Sequence, residues 1–152
     1  MSATRITLDS NVLHYAMDNS EIRKRQQALE ILVAVRQIDC PLALQAVGEF
    51  FVSITKKAKM PRSEAEIEVN RLLASFDLFS DSANAHRTAA HESAAGRFGY
   101  WDAVLLASAS EAGCTICFSE DMGDGARLGN IVVRNPFGVN GLSDAARVAL
   151  GL

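Results

Sequence analysis

The stretch RITLDSNVLHYAMD, residues 5–18, decides the fold. Arg5 to Leu8 reads as a short buried strand that runs into Asp9, and a helix over Asn11 to Met17 follows at once. Asp before a helix satisfies free backbone N–H groups and favours the positive end of the helix dipole. A second stretch, CTICFSEDMGDG at 114–125, repeats the arrangement: a β-branched and aromatic run, Cys114 to Phe118, then an acidic loop.

Helices are expected between these strands. One runs from Ser20, as N-cap, to Ile38, with Ile22, Leu29, Leu32 and Arg36 near one face; Cys40-Pro41 ends it. Leu42 to Gln45 is short enough for a strand. Val47, Phe50, Phe51 and Ile54 then stand at i, i+3, i+4 and i+7 in a helix from Ala46 to Lys59. Val69, Leu72, Leu73 and Phe76 repeat that spacing over Arg62 to Phe76, and a brief strand at Asp77 to Phe79 follows. Ser82 to Gly96 is an alanine-rich helix. Asp102 to Ala112 is apolar on nearly all sides, which predicts a buried helix capped by Gly113. Ile131 to Arg134 supplies the last strand and Ser143 to Leu150 a terminal helix. Strands separated by helices predict an α/β chain: a three-layer α/β/α sandwich around a parallel sheet. No linker divides residues 1–152, so one domain is expected, with 138–152 as a C-terminal extension.

Composition narrows the function classes. Apolar residues make up 49% and charged residues 22%, ordinary for a globular chain. No apolar run approaches the roughly 20 residues that span a bilayer, and MSATRITLD has no secretory pattern. Three cysteines, an odd number, point away from a disulfide framework and towards the cytoplasm. A net charge of −3 argues against holding nucleic acid by bulk electrostatics. Two basic knots remain, Arg23-Lys24-Arg25 and Lys56-Lys57-Lys59-Arg62; a nucleic-acid role needs one of them beside the functional pocket.

Four acids fall where strands end or helices begin: Asp9, Glu49 in LALQAVGEFFVSITKK, Asp102 in GYWDAVLLASA and Asp121 in CTICFSEDMGDG. Ligands in open α/β sheets bind beyond the carboxyl ends of the strands. Singly, each acid has an ordinary reading: a helix cap for Asp9 and Asp102, an exposed helix position near Lys56 for Glu49, and a turn for Asp121. Together they make a pocket that calls for a cation, because two carboxylates about 6 Å apart repel by about 3 kcal/mol at an effective dielectric near 20. Hard cations with oxygen ligands answer that, and Mg²⁺ takes one or two carboxylates plus waters. The last acid is crowded, so Glu120 and Asp124 stand as alternatives to Asp121. The Cys114–Cys117 pair has redox or zinc spacing, but strand alternation sends its thiols to opposite faces. His14, His86 and His91 lack zinc spacing, and no glycine-rich phosphate loop is present.

From Ile6 to about Phe137 the chain resembles the PIN-domain ribonucleases, and within them the VapC toxins of toxin–antitoxin pairs. LDSNVLHYA is similar to the first motif of that family, Glu49 stands at its helical acid, GYWDAVLLASA resembles its third motif, and SED with the later NPF resembles its end. The tail NGLSDAARVALGL lies outside the pattern. The resemblance implies cleavage of RNA with Mg²⁺ or Mn²⁺, leaving a 5′-phosphate and a 3′-hydroxyl. By that likeness Asp9, Asp102 and Asp121 hold metal, Glu49 completes the shell and helps deprotonate water, and Asn11 and Ser119 steady the carboxylates. It also implies a homodimer and a VapB-like antitoxin. Two alternatives accompany it: a non-catalytic protein-binding module using the helical hairpin from Ala46 to Phe76, and a nuclease of RNA processing without a toxin role. An aspartyl-phosphate phosphatase also places Asp after its first strand, but it wants a second Asp two residues on, where this chain has Asn11.

Overall fold

The computed structural model describes residues 4–152. Strand β1 (Ile6–Leu8) pairs in parallel with β4 (Ile116–Phe118), which pairs in parallel with β6 (Ile131–Arg134). A two-residue strand, β5 (Arg127–Leu128), completes the order β1-β4-β6-β5 and runs antiparallel to β6. The central sheet is thus mostly parallel, as expected, with β5 as its antiparallel edge. A turn at Gly129 (φ 57°) folds Arg127–Leu128 straight back onto β6, so no crossover helix intervenes. A second parallel pair, β2 (Leu42–Ala43) with β3 (Leu78–Phe79), lies beside β1. Ile6 N–H donates to Asp39 O at 3.1 Å, and Thr7 Oγ1 donates to Pro41 O at 2.8 Å.

Helices cover both faces. On one side α1 (Ser10–Tyr15), α2 (Ile22–Ala34), α3 (Leu44–Lys56) and α7 (Asp144–Leu150) bury Val12, Leu13, Ile31, Phe50, Ile54 and Leu150 against Ile6, Leu8 and Phe118. On the other, α5 (Ala83–Ala94) and α6 (Tyr100–Glu111) pack on Cys117, Ile131 and Val133. Alternation along β4 explains the split, since Phe118 enters one core and Cys117 the other. Helix α6 is buried continuously from Ala103 to Ala109, as its all-round apolarity predicts. Helix α4 (Arg62–Ser75) packs on α3 and buries only Ala65 fully. Among the described residues no helix is long and apolar enough to cross a membrane. The segment 138–152 packs on the first core through Leu142, Ala146 and Leu150.

Helix α2 differs from its expected setting. Its N-cap is Glu21, not Ser20, whose hydroxyl and N–H are instead taken by Asp18 Oδ1 in a tight turn. The buried face is Gln27, Ala28, Ile31 and Val35; Ile22 is 70% exposed and Arg36 is exposed. Gln27 explains the rotation, because its amide exchanges two hydrogen bonds with the backbone of Gly138. The cysteines also correct the sequence reading: Cys114 precedes β4, and both Cys114 and Cys117 are buried in the same core. Burial raises both thiols, Cys114 to about 11, which removes thiolate chemistry near neutral pH. Helix α5 begins at an N-cap, Ser82 Oγ, which accepts from Ala85 N–H at 3.0 Å. Ser82→Ala is expected to lower stability by about 1 kcal/mol, read as a drop in thermal midpoint, with the sheet unchanged.

Candidate active site

Strand register builds the centre of the site. Leu8 pairs with Phe118, so the residues that follow, Asp9 and Ser119, emerge side by side at the carboxyl ends of parallel strands. Asp9 N–H donates to Phe118 O at 2.9 Å. The Asp9 side chain caps α1, with Oδ1 accepting from Ser10 N–H at 2.7 Å. Its Oδ2 accepts from Ser119 Oγ at 2.7 Å and from Asn11 Nδ2 at 3.2 Å. The same Asn11 amide lies 3.1 Å from Ser119 Oγ and 3.1 Å from Asp121 Oδ2. Asp121 N–H closes the loop by donating to Ser119 Oγ at 3.2 Å. Asn11 and Ser119 thus both hydrogen-bond the Asp9 carboxylate, and Asn11 also reaches that of Asp121.

The other two acids arrive on helices. Glu49 is in the second turn of α3 and Asp102 in the first turn of α6. Gln45 Nε2 donates to Trp101 O at 3.1 Å and ties these two helix starts together. Electrostatics join all four acids. Burial pushes the Asp9 carboxyl up to about 6; bonds from Ser119 and Ser10 oppose the rise, and the charges of Glu49 and Asp102 add to it. Glu49 is raised by burial and then by Asp102, although it stands at the open rim. Asp102 is raised by burial and then by Asp121.

Among the described residues no three His, Cys, Asp or Glu side chains are arranged to hold one ion directly. The donor set nonetheless fits a hard cation. It offers carboxylate oxygens alone, its charges are mutually destabilising, and Mg²⁺ needs one or two direct carboxylates with water completing its shell. The three acids left open by the sequence have different partners. Glu120 turns away to accept from Lys24 Nζ at 2.9 Å and from Tyr15 Oη, while Asp124 accepts from Asn135 N–H at 3.0 Å. Only Asp121 of the three bonds to Asn11 through its side chain.

Lys24 places the first basic knot beside the acidic loop, packed over the Tyr15 ring at 4.7 Å. Sequence reasoning missed this Tyr15–Glu120–Lys24 group, whose members are separated by up to 105 positions. It also missed His14, a buried ring bonded to Ser53 Oγ and Asp18 Oδ2, both at 3.0 Å. The i,i+4 spacing of His14 and Asp18 was the available signal.

No model of a known protein family matches the chain, and no curated protein matches it. Solved structures do. A VapC toxin of Mycobacterium tuberculosis, described as cleaving the sarcin–ricin loop, superposes with a TM-score of 0.62 at 14% identity, over 77% of this chain and 92% of that one. The VapBC pair of Rickettsia felis, bound to a promoter DNA fragment, gives 0.64 at 14% identity, over 87% and 98%. A toxin–antitoxin complex from Klebsiella pneumoniae gives 0.61 at 18% identity, over 91% and 100%. The chain has the PIN-domain fold of the VapC toxins.

Proposed function

We propose that this chain is a Mg²⁺- or Mn²⁺-dependent endoribonuclease and the toxin of a toxin–antitoxin pair. One observation carries the reading: Asp9, Asn11, Ser119 and Asp121 are hydrogen-bonded at the ends of β1 and β4, with Glu49 and Asp102 close enough to raise the Asp9 carboxyl. Asp9, Asp102 and Asp121 would hold the ion. When bound, it would polarise a phosphoryl oxygen and acidify a water. Asn11 and Ser119 keep the Asp9 oxygens aimed, and Glu49 at the open rim takes the proton of the attacking water. The products would be a 5′-phosphate and a 3′-hydroxyl.

The toxin label draws on the toxin–antitoxin complexes among the structural neighbours. A VapB-like antitoxin and a cytoplasmic site of action belong to it. A homodimer belongs to it too, and the exposed Val52, Ile67 and Leu73 of the α3–α4 hairpin supply apolar surface for one. The test is cleavage of a broad panel of structured RNAs with Mg²⁺ or Mn²⁺, against EDTA and against Asp102→Ala. Metal-dependent cleavage lost in the variant is the expected result; equal behaviour of wild type and variant refutes the catalytic claim. Co-purification with the product of the adjacent reading frame tests the toxin label, and light scattering tests the dimer.

A further inference from the structure

The sequence contains one tryptophan, Trp101, and it is 62% exposed. An indole open to water presents a large flat π-face with a polar edge. The side chain is held. Its ring packs edge-to-face with Tyr100 (centroids 5.3 Å apart, planes at 83°) and with His86 (6.0 Å, 90°). Tyr100 Oη lies 2.6 Å from His86 Nδ1, and His86 Nε2 is bonded to Asp81. The Trp101 carbonyl is fixed by Gln45. The indole is therefore braced against α5 from the first turn of α6, one residue before Asp102, and the residue's own carbonyl is tied to α3 one turn before Glu49.

We propose that Trp101 is a stacking platform for an unpaired nucleobase of RNA whose backbone lies at the carboxylate cleft. Every base has a π-face, so one exposed aromatic ring beside a phosphodiester site engages a single-stranded segment whatever its sequence. Braced rings lose little freedom on binding, which favours this position over a flexible one. The polar-aromatic setting, a tyrosine and a histidine tied to a carboxylate, suits a base better than the apolar surface of a partner protein. The proposal rests on the ribonuclease reading for the identity of its ligand.

As the only tryptophan, Trp101 reports on itself. Titration with a short oligouridylate in EDTA, where no metal-dependent cleavage occurs, is expected to quench its emission saturably. An abasic oligomer of equal length and charge is expected to leave it unchanged. Trp101→Ala should weaken oligonucleotide binding about ten-fold or more, and Trp101→Phe should restore most of it. Quenching without cleavage under any metal supports the platform and removes the ribonuclease reading. Cleavage unaffected by Trp101→Ala, with emission unmoved by RNA, overturns the platform and leaves the nuclease. Emission that responds to protein concentration but not to oligonucleotide assigns Trp101 to a contact between copies and also overturns it.

Discussion

Asp9→Asn is expected to abolish RNA cleavage while raising the thermal stability of the protein. On the proposed reading the loss follows from removing a charged ligand of the ion, and at least about 100-fold is expected, since changes one shell further out already cost 10- to 100-fold. The gain follows from burial. Asp9 is 7% exposed and its carboxyl is pushed from 3.8 to about 6, chiefly by desolvation. The folded protein therefore binds an extra proton between about pH 4 and pH 6, and stability falls as pH rises through that window. The ionised carboxylate thus destabilises the fold by about 3 kcal/mol at pH 7.5. Asparagine keeps the shape and the helix cap without the charge. Its amide, however, meets the donating Nδ2 of Asn11, which returns much of the benefit. A net gain of about 1 kcal/mol, or 2–4 °C in a chain of this size, is expected at pH 7.5; it should vanish at about pH 5 and reverse below about pH 4, where the wild-type carboxyl is protonated and only the amide mismatch remains. Melting curves across pH decide it: a difference from wild type that does not change between about pH 4 and pH 7.5 would show that the buried Asp9 charge carries no desolvation cost.

The same residue shows how far the sequence could be read. The strand before Asp9 and the helix after it were visible because three consecutive buried residues, Ile6 to Leu8, must lie in a strand covered on both faces. That Asp9 and Asp121 share one sheet edge followed from the parallel-sheet reading and from likeness, not from a local pattern, because the link between them is a register, Leu8 with Phe118. The face of α2 was misjudged for a related reason. Ile22 and Leu32 fit an apolar stripe, but the helix was turned by Gln27 bonding Gly138, a contact spanning 111 positions. Strand β5 escaped notice because two residues carry no period. Spacing likewise left Glu120, Asp121 and Asp124 as alternatives, since their partners, Lys24 on α2 for Glu120 and Asn135 after β6 for Asp124, are set by tertiary packing.

Asn11→Asp is the second large effect, and it separates electrostatics from geometry. The Asn11 amide donates to Asp9 Oδ2 at 3.2 Å and to Asp121 Oδ2 at 3.1 Å. Converting it to a carboxylate replaces two attractions with two repulsions while keeping the volume. Unit charges about 4 Å apart at an effective dielectric near 20 repel by about 4 kcal/mol, and the side chains will rotate or share a proton to relieve part of it. A loss of about 3 kcal/mol is expected at pH 7.5, roughly 6–12 °C in the thermal midpoint. Asn11→Ala removes the hydrogen bonds without adding charge, so it should lose less, about 1–2 kcal/mol, with little dependence on pH. The difference between the two variants should close towards pH 5, where a proton bridges the added carboxylate and Asp9. Millimolar Mg²⁺ should narrow it at pH 7.5, because an ion bound only by the folded state stabilises by mass action. If Asn11→Asp and Asn11→Ala melt together at every pH and ignore Mg²⁺, the four acids do not form one electrostatic unit, and the argument for a cation at this cleft fails with it.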